Sequence, residues 1–125
     1  MILMLDAHAV LWWLANDPQL SDQARRAIAD PANDVLVSAA SIWEIEVKRA
    51  AGRLEAPAEL IEDLEQSHVN ALPITALDAV AAARLRMHHK DPFDRMLVAQ
   101  ARRLDAVIVS RDRGFAAYDV PVLLA

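Results

Sequence analysis

Asp6, Glu44, Asp94 and Asp112 are spread over more than a hundred positions, yet a strand-and-helix reading of the chain brings all four to one edge of one sheet. Carboxylates held close together repel one another, and a protein that keeps such a group commonly uses it to hold a hard divalent cation such as Mg2+ or Mn2+. The chemistry this implies is metal-dependent phosphoryl transfer or hydrolysis.

The elements that must position these acids follow from the apolar pattern. Ile2 to Asp6 is a short apolar run ending in a carboxylate, and a helical pattern through Leu11 and Leu14 follows, stopping near Asn16-Asp17-Pro18. Ser21 is placed to cap a helix over Asp22 to Ala29, which Asp30-Pro31 ends. Val35 to Val37 predicts a second buried strand. Ser38 then opens a helix to about Ala51, with Gly52 at its C-terminal cap. A helix over Ala58 to Gln66, a strand around Val69 to Ile74 and a helix from Leu77 to about Met87 come next, followed by the basic loop His88-His89-Lys90. Asp91 and Pro92 start a helix ending near Leu104, Ala106 to Ser110 is the clearest strand, and Val120 to Leu124 is a final edge strand. Alternating strands and helices predict an α/β domain of three α/β/α layers around a parallel sheet of four to five strands, with the ligand crevice beyond the strands' C-terminal ends. Asp6 ends the first strand and Asp112 lies just past the fourth. Glu44 falls in the helix after the second strand, and Asp94 in the first turn of a helix whose N-terminus faces the same edge.

At 125 residues, 55% of them apolar and 25% charged, the chain reads as a single domain over 1–125 with a real core. The lack of cysteine excludes disulfides, thiolate metal sites and a cysteine nucleophile. The two glycines, Gly52 and Gly114, are too few for a dinucleotide fingerprint or a Walker loop. The apolar start has no basic leader and is interrupted by Asp6 and His8. Its longest unbroken run, Ala9 to Ala15, is far short of the roughly 20 residues of a membrane span, so the expectation is a cytoplasmic protein with no membrane association. The net charge of −5 becomes −1 once the four acids are set aside, which neither excludes nor supports a phosphate-bearing substrate.

Taken singly, each acid also has an ordinary explanation. Asp91 before Pro92 is an N-cap, and Asp94 suits the positive end of a helix. Ser41 to Glu44 matches a capping box, although Ser38 is the better cap because the strand ends at Val37. Glu44 and Lys48 have the spacing of a surface ion pair, and Asp112 could serve a turn before Gly114. His8 reads as a satisfied residue or one supporting the site, and His88-His89 as a solvated loop near substrate. Trp12, Trp13 and Trp43 read as core or interface. No Gly-x-Ser-x-Gly elbow supports a hydrolase triad.

The residues around these acids resemble a known family. Met4-Leu5-Asp6-Ala7-His8-Ala9-Val10-Leu11-Trp12, Val37-Ser38-Ala39-Ala40-Ser41-Ile42-Trp43-Glu44-Ile45, His89-Lys90-Asp91-Pro92-Phe93-Asp94-Arg95 running into Leu97-Val98-Ala99-Gln100-Ala101, and Ser110-Arg111-Asp112 are similar to the ordered motifs of PIN-domain ribonucleases, VapC-type toxins of toxin-antitoxin pairs in particular. The resemblance implies a PIN-like fold and RNA cleavage dependent on Mg2+ or Mn2+. It carries the catalytic quartet to Asp6, Glu44, Asp94 and Asp112, with Asp91 as an additional acid and Ser110 alongside. Asp6 would be a direct metal ligand, with Asp94 or Asp112 completing a water-rich shell, and Glu44 would orient or deprotonate the attacking water. Lys90, Arg95, Arg111 and Arg113 become candidates for RNA phosphates, each readable also as a solvated charge. Ala7 departs from the family's common Thr, and Gly114 stands where another acid is common. The implied partners are RNA, a small cognate antitoxin and a second copy in a homodimer. Two alternatives stand beside this reading. One is a catalytically silent PIN-like binding module, which the intact quartet opposes. The other is a receiver-like Mg2+-binding phosphoacceptor, whose usual adjacent acids and late lysine are missing.

Overall fold

The computed structural model describes residues 1–88 and 90–125. Its centre is a five-stranded sheet, β1 (Ile2–Leu5), β2 (Asp34–Ser38), β3 (Asn70–Leu72), β4 (Val107–Ser110) and β5 (Val122–Leu124), in the order β3-β2-β1-β4-β5. Every pairing is parallel. The order overturns the receiver-like alternative, because receiver domains carry their strands as 2-1-3-4-5. Here the chain leaves β1 toward β2 and leaves β4 toward β5, so the crossovers diverge between two neighbouring central strands. That switch point opens a crevice at the C-terminal edge, where Leu5 is in register with both Val37 and Val109.

Alternation along the strands explains the two helical layers. Leu3, Leu5, Val35, Val37 and Val109 face one core, against α1 (Ala7–Leu14), α2 (Asp22–Ala29), Ile45 of α3 (Ala39–Ala50), and Leu60 and Leu64 of α4 (Leu60–Gln66). Met4 and Ile108 face the other core, closed by Leu97, Val98 and Ala101 of α6 (Pro92–Leu104) and by Phe115 and Tyr118 of a short 3-10 helix, Arg113–Tyr118. A central parallel sheet covered on both faces must be apolar on both, and β1 and β4 are. Among the described residues no helix is long and apolar enough to cross a membrane.

Several boundaries differ from expectation. Between α4 and α6, α5 covers only Ala76–Arg84, starting at a Thr75–Asp78 capping box and ending three residues before the expected Met87. The strand before it is confined to Asn70–Leu72. The helix before that starts at Leu60, after Pro57 and a turn, rather than at Ala58. The 3-10 helix after β4 was not expected at all.

Candidate active site

Asp6 follows β1 directly and serves as the N-cap of α1, its Oδ1 accepting the Ala9 N–H at 2.9 Å. Its own N–H donates to the Val109 carbonyl, which fixes the residue against β4. Because side chains alternate across a strand, Asp6 and Ser110 lean to the α6 side with Met4 and Ile108. The Ser110 hydroxyl donates to Asp6 Oδ2 at 2.5 Å and accepts the Asp112 N–H at 2.9 Å. One buried serine therefore ties the acid after β1 to the acid after β4, across the switch point.

Burial pushes the Asp6 carboxyl above the usual carboxylate range. Hydrogen bonds from Ser110 and Ala9 and the nearby His8 oppose that shift, and the charge of Glu44 adds to it. Glu44 thus lies close enough to Asp6 for their like charges to interact. It sits in the second turn of α3, which Ser38 caps through the Ala40 N–H, so the alternative capping box at Ser41 does not form. Glu44 is buried, and Lys48 Nζ donates to its Oε2 at 2.7 Å. This pair, expected at the surface, holds the carboxylate in place beside Asp6.

The N-terminus of α6 reaches the same region from the opposite layer. Asp91 caps that helix through the Phe93 N–H at 2.8 Å, with Pro92 in its first turn. Phe93 packs edge-on against Trp43 of α3, ring centres 5.3 Å apart, and sets the half-buried Asp94 next to the helix carrying Glu44. Asp112 accepts the Gly114 N–H and caps the 3-10 helix while its side chain stays exposed. Asp6 is coupled to Glu44 by charge and bridged by Ser110 to the backbone of Asp112, and helix placement brings Asp94 to the same region. Among the described residues no three His, Asp or Glu side chains stand as a closed ligating group. The donor set is all oxygen, and it includes a half-buried carboxylate within reach of the charge of a second acid. It fits Mg2+ or Mn2+, hard cations that take one or two carboxylates and keep several waters.

The cationic candidates separate clearly. Arg95 is not a phosphate ligand at the surface. It is buried, and its guanidinium donates to the carbonyls of Ala82, Ala83, Leu85 and Arg86 and to the Tyr118 hydroxyl. Arg111 lies over the Trp12 ring at 4.4 Å and donates to the Gln19 and Ala125 carbonyls, which fastens the chain end to α1. Lys90 and Arg113 are exposed and form no ion pair among the described residues. His8 is exposed with its ring near Trp12, and His88 is exposed with its ring edge on Tyr118. His89, expected beside His88 in a solvated loop, lies outside the described residues. Trp12 and Trp13 pack partly buried on the core, whereas Trp43 is 64% exposed and belongs to the surface rather than the core.

A three-layer domain with acids on both sides of the switch point of a 3-2-1-4-5 sheet defines a class, and comparison with known proteins agrees. The chain belongs to the PIN-domain family, whose model matches residues 3–121. It is 30% identical over 122 residues to Ribonuclease VapC22 of Mycobacterium tuberculosis (strain ATCC 25618 / H37Rv), an alignment covering 95% of this chain and 93% of that protein. DNA-bound VapBC from Salmonella typhimurium superposes with a TM-score of 0.71 at 18% identity, over 98% of this chain and 97% of that one. FitAcB from Neisseria gonorrhoeae superposes with a TM-score of 0.66 at 24% identity, over 99% and 97%.

Proposed function

We propose that residues 1–125 act as one PIN domain that hydrolyses RNA with the aid of Mg2+ or Mn2+, and that this ribonuclease is the toxin of a toxin-antitoxin pair in the cytoplasm. The observation that carries the reading is the half-buried carboxylate of Asp6, bonded to Ser110 and within reach of the charge of Glu44, at the switch point of a PIN fold. Kinship to a protein named a ribonuclease supports the substrate class.

In this reading Asp6 holds the cation, with Asp94 or Asp112 as further ligands. When bound, the cation would lower the pKa of its water and offset negative charge on the phosphoryl oxygens. Ser110 and the Ala9 N–H fix the rotamer of Asp6, so the acid need not reorganise when substrate arrives. Glu44, steadied by Lys48, orients the attacking water and accepts its proton. Asp91 starts the helix that presents Asp94, while Lys90 and Arg113 are free to meet backbone phosphates. Water as the nucleophile leaves the ribose 2′ hydroxyl uninvolved, so the products would carry a 5′ phosphate and a 3′ hydroxyl.

A small antitoxin would hold such an enzyme in check, placing a cationic residue near the acids and an amphipathic segment on the surface. The solved structures this fold resembles include VapBC and FitAcB. A homodimer through a helical face completes the proposal. Purified protein is expected to cleave RNA with Mn2+ and not with EDTA, and Asp6→Asn, which keeps an N-cap residue, to fold normally and lose at least a hundredfold in rate. Cleavage by Asp6→Asn at the wild-type rate, or cyclic 2′,3′ phosphate ends, would sink the mechanism. Growth arrest on expression, reversed by the adjacent small gene, is the expected cellular result, and harmless expression of folded, metal-loaded protein would remove the toxin role.

A further inference from the structure

An arginine-rich cavity of about 700 Å3 lies outside the acidic site, between the C-terminal end of α5, the outer face of α6 and the 3-10 helix. Arg84, Arg86, His88, Arg102 and Arg103 line it, and Asp119 is the one acid on its wall among the described residues. Two of these cations are accounted for. Arg103 pairs with Asp78 at 2.6 Å, and Arg102 donates to the Tyr118 carbonyl and forms no ion pair among the described residues. Arg84 and Arg86 are exposed and make no side-chain hydrogen bond or ion pair among the described residues. Like charges held in one concavity repel, and here they do so within a chain of net charge −5. A concave wall of one sign also focuses its field on an incoming ligand of the other.

From this we infer that the cavity is a docking groove for the sugar-phosphate backbone of single-stranded RNA, engaging phosphates several nucleotides from the one that is cut. The inference rests on the ribonuclease reading for its choice of polyanion. Two observations favour an RNA strand over an isolated anion. The cavity is far larger than one phosphate, and its arginines, whose forks match phosphate oxygens, come from two different segments of the chain. The groove is also tied to the acidic site. Arg95 donates to the carbonyls of Leu85 and Arg86 in the groove wall, and it directly follows Asp94. A strand seated on Arg84 and Arg86 would thereby be set in register with the acids.

The test uses the full chain with Arg84→Ala and Arg86→Ala combined, and a 20-nucleotide single-stranded RNA as the probe. Affinity is measured in EDTA, where no cleavage occurs, across a range of salt. The double variant is expected to bind about tenfold more weakly and to show a salt slope shallower by about 1. Under turnover with Mn2+ it should raise KM for the 20-nucleotide RNA with kcat unchanged, and leave the kinetics of a dinucleotide substrate alone. Arg84→Lys with Arg86→Lys should recover most of the affinity. If the double variant is poorly folded, the single changes Arg84→Gln and Arg86→Gln provide the same readout separately. Unchanged RNA affinity and salt slope would overturn the groove even if cleavage is robust, and so would a wild-type chain that does not bind RNA in EDTA. An arginine-dependent affinity in a protein that never cleaves would keep the groove and remove the nuclease reading.

Discussion

Arg95 shows how far a residue's type can mislead about its task. An arginine next to a candidate site acid invites a phosphate, but this one is buried and distributes its donors over the last carbonyls of α5, those of Leu85 and Arg86 beyond it, and the Tyr118 hydroxyl. Carbonyls at a helix C-terminus lack intrahelical partners and carry partial negative charge, so a guanidinium beside them both satisfies and neutralises them. It thereby caps the end of α5, which leaves the helical conformation at Leu85. Arg95→Ala strands several of these carbonyls and is expected to cost about 3 kcal/mol, read as a lower urea midpoint. Arg95→Lys should recover only part of that, because an ammonium cannot fork between carbonyls and the tyrosine. A variant of wild-type stability with raised KM for RNA would instead restore Arg95 as a phosphate ligand. Ser110 carries the opposite lesson. The family resemblance sets it beside the acids, and its hydroxyl is the bridge between Asp6 and the Asp112 backbone.

At the scale of elements, α5 depends on Asp78 in three ways. The carboxylate closes the capping box with Thr75, accepts two bonds from Arg103 and one from Gln100, and so pins the start of α5 to the end of α6. The Arg103 guanidinium holds the Asp78 carboxyl at about 2 against the opposing effect of burial. The unfolded chain would titrate near 3.9, so it binds a proton more readily than the folded one as acid is added. Stability from this carboxylate is therefore complete above about pH 4 and is lost as the pH falls toward 2. Asp78→Asn should lower Tm at pH 7, and the gap from wild type should close between pH 4 and pH 2. A gap independent of pH would mean that the cap, not the charge, holds the helices together. Thr75 to Asp78 was readable in the sequence as a capping signature, but the apolar pattern drew the expected start to Leu77, which is 77% exposed. The five strands and the helices bearing the acids were legible, because β-branched runs and caps such as Ser38 and Asp91 are local signals. The end of α5 and the fate of Arg95 were not, since both depend on contacts between residues nine or more positions apart.

For the molecule as a whole, the fold concentrates opposite charges in separate places. One edge of the sheet gathers acids that repel, and the outer face of α5 and α6 gathers arginines that repel, within a single acidic chain. Each gathering sets like charges against one another, and a ligand of the right sign would offset that repulsion by binding only the folded state. The proposed cation should therefore act as a stabiliser that can be measured without RNA. With Mn2+ at about a hundred times its dissociation constant, linkage gives about 2.7 kcal/mol, or a rise in Tm of roughly 10 °C for a domain of this size. The rise should disappear with EDTA and be largely absent in Asp6→Asn, whose amide oxygen is a neutral and weaker donor. Arg84→Ala with Arg86→Ala should leave it intact, because those residues stand apart from the acids. An equal Mn2+ shift in wild type and Asp6→Asn would move the cation to another part of the surface. No shift at all in folded wild-type protein would remove the metal from the mechanism.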